Sequence, residues 1–134
     1  MGAPPEGASP EAWLYRRILP GGKLRLTGAP RPAAFALRTG RNEIALSAYW
    51  ADLCTPEEVV GQAGIARCGV VRLATAAVQT LGFEVRSSPD LADPIIGPAH
   101  VSLIPATLDD SRQIPLEVRL ALCALSEWII DCDR

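Results

Sequence analysis

The sequence predicts an α+β domain, a mostly antiparallel sheet with a C-terminal helix packed on one face, and three observations carry that expectation. Segments 13–18, 43–50, 83–87 and 99–104 alternate side chains in the period of two that a strand requires. Residues 115–130 instead repeat apolar side chains at helical spacing. Clusters such as Pro20-Gly21-Gly22 and Gly28-Ala29-Pro30-Arg31-Pro32 punctuate the chain between such segments.

Length and composition set the frame. At 134 residues the chain has the size of one ordinary domain, and 49% hydrophobic against 21% charged residues is the balance of a globular fold. Residues 1–10, with three prolines, two glycines and no periodicity, read as a flexible leader, and 11–134 as a single α+β domain. A net charge of −2 with no basic run lacks the footprint that holds a phosphate backbone, so nucleic acid is not expected as a partner. The start has no signal-peptide pattern and no apolar run approaches the roughly 20 residues that span a bilayer. No membrane association is expected, and the reading is a soluble, cytoplasmic protein.

Taken in order, Trp13, Tyr15 and Arg17 alternate with Leu14, Arg16 and Ile18, a strand with long side chains on both faces. Residues 34–38 read either as a strand or as a short helix. From Glu43 to Trp50, Ile44, Leu46, Ala48 and Trp50 share one face and Ser47 and Tyr49 the other. Thr55-Pro56-Glu57-Glu58 starts a brief helix: Thr55 caps, Pro56 suits the first turn, Glu58 closes a capping box, and Gly61 or Gly64 ends it. Cys68 to Leu73 reads as a strand, and Thr75 to Leu81 as a short helix stopped by Gly82 in the left-handed conformation. Residues 83–87 resume alternation, and a proline-interrupted loop leads to the strand at 99–104. In the helix predicted over 115–130, Leu116, Leu120, Cys123, Ala124 and Trp128 share a face, while Val118, Leu122, Leu125 and Ile129 carry the apolar surface further round. Such a helix needs cover on both sides, from the sheet and from a loop or second protein.

Chemistry-bearing residues are sparse. The single histidine, His100, stands two residues from Ser102, so both point to one face of a strand, where an imidazole can act as a general acid or base. The ordinary alternative is a histidine on a solvent face or tied down by the Pro98 turn. In Arg16-Arg17, alternation turns one guanidinium inward, which is expensive unless it meets a carboxylate or a ligand phosphate. The alternative is an edge strand with arginine stems lying over apolar neighbours. Ser47 and Tyr49 are placed to join such an arginine. Cys54, Cys68, Cys123 and Cys132 form no C-x2-C pair and read as reduced thiols. A metal site would have to gather Cys54, Cys68 and His100 from distant loops, so neither metal nor cofactor is expected. Asp109-Asp110 and the Asp131-Cys132-Asp133-Arg134 tail read as solvated charges. Leu125, Trp128 and Ile129 are either core or a docking surface.

The order Leu14-Tyr15-Arg16-Arg17-Ile18, Ala34-Phe35-Ala36-Leu37-Arg38, Ser47-Ala48-Tyr49-Trp50, Leu81-Gly82-Phe83-Glu84-Val85 and Pro98-Ala99-His100-Val101 resembles a group of short bacterial proteins without an assigned activity. It spans roughly residues 12 to 105. The first blocks, an early arginine strand followed by a serine and tyrosine strand, are also similar to ADP-ribosyltransferase-type folds such as the RES toxins. That similarity implies that Arg16 and the Ser47 strand help bind NAD, although no late glutamate is evident in a strand where that family places its catalytic acid. The expectation that follows is a small non-enzymatic bacterial accessory protein that binds another protein, or a second copy of itself, through Leu125, Trp128 and Ile129. The alternative is an enzyme or nucleotide-binding domain whose pocket is lined by Arg16, Ser47, Tyr49, His100 and Ser102, with an NAD-like ligand.

Overall fold

A computed structural model describes residues 12–24, 26–61 and 68–132, so the leader at 1–10, Gly64 and Asp133 lie outside the described residues. Six strands form one antiparallel sheet: β1 (Trp13–Ile18), β2 (Leu46–Trp50), β3 (Gly69–Ala74), β4 (Phe83–Ser87), β5 (His100–Pro105) and β6 (Glu127–Ile130). Their spatial order is β4-β5-β2-β1-β3-β6. Helices α1 (Pro56–Gly61), α2 (Thr75–Thr80) and α3 (Leu116–Leu125) provide the crossovers. The α+β class is therefore as the sequence predicts.

One face of the sheet is the core. Leu14 and Ile18 of β1, Leu46, Ala48 and Trp50 of β2, Val71 and Leu73 of β3, and Val101 and Leu103 of β5 are all buried on it. A 3-10 turn at Pro32–Phe35 and α3 close over these side chains with Phe35, Ile114 and Leu122, and α2 adds Val78. Each such large apolar side chain contributes about 1.5–3 kcal/mol on burial. The opposite face carries α1. Its capping box forms as expected, with the Thr55 amide donating to Glu58 Oε1 (2.9 Å) and the Glu58 amide to Thr55 Oγ1 (3.1 Å). Its Val59 is fully buried, and the Val59 carbonyl accepts from Arg17 Nε at 3.0 Å. Gly82, at φ +99°, terminates α2 in the left-handed region where a side chain would be strained.

Three expectations are corrected. The strand predicted from Glu43 begins only at Leu46, and Ile44 is 70% exposed rather than on the core face. Asn42 adopts a left-handed turn, and the Glu43 carboxylate folds back onto Arg38, accepting from its amide at 3.0 Å and its Nε at 2.9 Å, which keeps 43–45 out of the ladder. Residues 34–38 are neither a strand nor an α-helix beyond the 3-10 turn that ends at Phe35.

The third correction concerns the last helix, which stops at Leu125 and not at Ile130. Ser126 ends it, its hydroxyl donating to the Leu122 carbonyl at 2.7 Å while its own backbone turns extended at ψ 141°. Glu127-Trp128-Ile129-Ile130 then pairs with β3, where two adjacent β-branched residues are better accommodated than in a helix. Trp128 and Ile129 are therefore strand residues. A bulge between Val70 and Val71 adjusts the register, and Trp128 packs against the core with its indole N–H on the Gly28 carbonyl at 2.8 Å.

Candidate functional site

The middle of the sheet opens. β1 and β2 pair only at Leu14 with Trp50 and Tyr15 with Tyr49. Past that point β1 follows β3 as far as Ile18 opposite Gly69, while β2 follows β5 as far as Leu46 opposite Leu103. The divergence leaves a cleft of about 420 Å³, within the range of small-molecule sites. Its lining includes Arg16, Arg17, Arg31, Arg38, Glu43, Ser47 and Tyr49. Four arginines thus face one glutamate, a formal surplus of three positive charges in a chain whose net charge is −2.

Arg16 is the inward member of the arginine pair, sharing a face with Leu14 and Ile18. Its guanidinium bridges the two walls of the cleft. Nε and Nη2 donate to the Ala34 carbonyl at 3.1 and 2.7 Å, and Nη1 donates to the Ser47 carbonyl at 2.7 Å, a group that lies where β2 has left the β1 ladder. The ring of Phe35 lies 5.5 Å from its Cζ. No carboxylate pairs with it among the described residues. Burial lowers it to about 10, only partly offset by the charge of Glu43, so it remains a cation at neutral pH. Glu43 itself is committed to Arg38, at 2.8 Å from Nη2, and the hydrogen bonds from Arg38 outweigh burial to hold its carboxyl below the usual range.

On the β2 side, Ser47 and Tyr49 lie on the face away from the core, directly opposite Ser102 and His100 of β5. The structure therefore brings Arg16, Ser47, Tyr49, His100 and Ser102 to one region. His100 and Ser102 stand behind the lining and touch it through their neighbours. His100 Nε2 is 3.1 Å from Ser47 Oγ, and its ring meets Tyr49 edge to face at 5.4 Å. His100 Nδ1 is 3.0 Å from the Ser88 carbonyl and 2.8 Å from Ser88 Oγ, which in turn is 2.8 Å from Ser102 Oγ. A carbonyl only accepts, so Nδ1 carries a proton, and in the neutral ring Nε2 holds the lone pair that faces the Ser47 hydroxyl.

Ser88 is the residue that sequence reasoning missed. It lies one position beyond β4, and its amide extends the ladder by donating to the His100 carbonyl at 2.9 Å. The Ser87-Ser88 pair at the end of an alternating strand was the available signal, but nothing local tied it to His100, twelve residues on.

Burial holds Cys54, Cys68 and Cys123 away from the thiolate form. All four are free, and burial pushes Cys54 up to about 11 and raises Cys68 and Cys123 as well. Among the described residues no group of three or more His, Cys, Asp or Glu is placed to hold a metal ion, and no helix is long and apolar enough to cross a membrane. Leu125 and Trp128 are partly buried against the core, Ile129 is 41% exposed on β6, and none of the three lines the cleft.

A late glutamate does stand in a strand that the sequence reading took for helix. Glu127 opens β6 and pairs with Arg72 at 2.9 Å, whose guanidinium covers the Trp13 ring at 3.9 Å. It does not line the cleft. No protein-family model matches the chain, nor does any curated protein or solved structure.

Proposed function

We propose that the cleft between β1 and β2 binds a phosphorylated small molecule of the nucleotide type, with NAD-like dinucleotides the first class to test. One observation carries this reading: Arg16 is enclosed as a cation whose hydrogen bonds go to carbonyls, with no carboxylate paired to it among the described residues, and it faces a cleft in which positive charge outnumbers negative. A bound phosphate would supply the missing countercharge through charge-assisted hydrogen bonds to the guanidinium groups, and the Tyr49 ring offers a surface for a base. The four free thiols favour the cytoplasm as its compartment.

A thermal-shift panel of phosphate, pyrophosphate, ADP and NAD tests it. A ligand at about a hundred times its Kd stabilises by about 2.7 kcal/mol, which raises the Tm of a domain this long by roughly 10 °C. No shift with any of the four at millimolar concentration would defeat the proposal.

A second reading, docking of another protein or a second copy along β6, is favoured by the position of that strand at the sheet edge with Ile129 41% exposed. Here an Ile129→Lys variant is expected to convert a larger species to a monomer in light scattering, with less than about 0.5 kcal/mol change in stability. A wild-type chain that is already monomeric, both alone and when co-expressed with the products of adjacent genes, removes this reading.

A further inference from the structure

We propose that Ser47 is a nucleophile activated by His100, and that the cleft carries out group transfer on a phosphoester or pyrophosphate; the choice of substrate rests on the anion-binding reading above. The geometry has the three parts such a serine needs. The nucleophile is exposed to the cleft, the base is 3.1 Å away with its free lone pair on Nε2, and the base is oriented by a third group, the Ser88 carbonyl, 3.0 Å from Nδ1. The backbone carbonyl of the same serine accepts from Arg16 Nη1 at 2.7 Å, which ties the cation to the strand that carries the nucleophile.

In the proposed step Ser47 Oγ attacks phosphorus as its proton passes to His100 Nε2. The Oγ–P bond forms and the bond from phosphorus to the leaving oxygen breaks. The leaving oxygen departs on the side opposite Oγ, as in-line displacement requires, and takes a proton from solvent while the imidazolium keeps the serine proton. Water then attacks phosphorus from the vacated side and gives a proton back to solvent as the Oγ–P bond breaks and the imidazolium returns its proton to Ser47 Oγ, so the sum is hydrolysis with no reactant besides water. The arginines meet the charge gathered on the phosphoryl oxygens. A backbone carbonyl as the orienting group leaves no sequence motif, since any residue type at position 88 would supply it.

The test is covalent labelling of the full chain with a fluorophosphonate probe, read by intact mass and peptide mapping. A single adduct is expected on Ser47, absent in Ser47→Ala and formed at least about 100-fold more slowly in His100→Ala. If His100→Ala fails to fold, His100→Gln, which keeps a polar side chain in that place without a base, carries the test with the same expected loss of rate. No adduct, an adduct elsewhere, or a rate indifferent to substitution of His100 would overturn the proposal. Nucleotide-induced stabilisation without labelling leaves the binding reading standing and removes the nucleophile. Labelling without any nucleotide effect does the reverse.

Discussion

Replacing Arg16 with alanine is expected to destabilise the domain by about 2–3 kcal/mol and to weaken phosphate binding at least about a hundredfold. The two effects have separate causes, and a second substitution divides them. Alanine removes three donors at once and leaves the Ala34 and Ser47 carbonyls, on two different walls, without their guanidinium. It also empties the space beside Phe35. Methionine at the same position fills that space without a charge. Because burial lowers Arg16 to about 10, below its ordinary range, the folded protein carries a desolvation penalty for this cation at every pH below that value, and the penalty is relieved only above it. Arg16→Met escapes the penalty, so it is expected to recover much of the stability lost in Arg16→Ala while binding stays lost. Urea unfolding of the three proteins measures the first effect and titration with ADP the second. Full binding by Arg16→Met would mean that the guanidinium serves packing alone.

Trp50→Ala is expected to cost about 3–5 kcal/mol and to lower Tm by more than about 10 °C. Trp50 is the largest fully buried side chain, its indole N–H donates to Ser87 Oγ at 2.9 Å, and it stands opposite Leu14 in the short β1–β2 ladder. Loss of its volume therefore acts at the point where the cleft closes. Trp50→Phe keeps most of the apolar contact and is expected to lose roughly 1–2 kcal/mol. Thermal unfolding followed by circular dichroism separates the two. An alanine variant as stable as the wild type would contradict a core centred on β2.

The local signals in this sequence were legible where one element decides its own fate. Alternation places β1, β4 and β5, the Thr55 and Glu58 side chains start α1, and Gly82 stops α2. The end of α3 was not legible, because Leu125, Trp128 and Ile129 fit a helical period, and only pairing with the edge of β3 draws Glu127–Ile130 into a strand. Ile44 fits the strand pattern, yet the Arg38–Glu43 closure removes it from the sheet. At the site, alternation alone marked one of Arg16 and Arg17 as costly and put Ser47 and Tyr49 on one face and His100 and Ser102 on one face of another strand. What it lacked was the register that sets Ser47 against Ser102 and Tyr49 against His100, and the divergence of β1 from β2 that makes the cleft. Both are pairings between residues 30 or more positions apart, which no local pattern encodes.

The claim that matters most is that the cleft holds an anion through Arg16. Calorimetric titration of ADP into the wild type and into folded Arg16→Met, each at low and high salt, tests it most directly. The account predicts one saturable site in the wild type, with Kd on the order of 10 μM, weakened by salt and absent in the variant. No heat of binding at millimolar ADP, or equal binding by the two proteins, would contradict it.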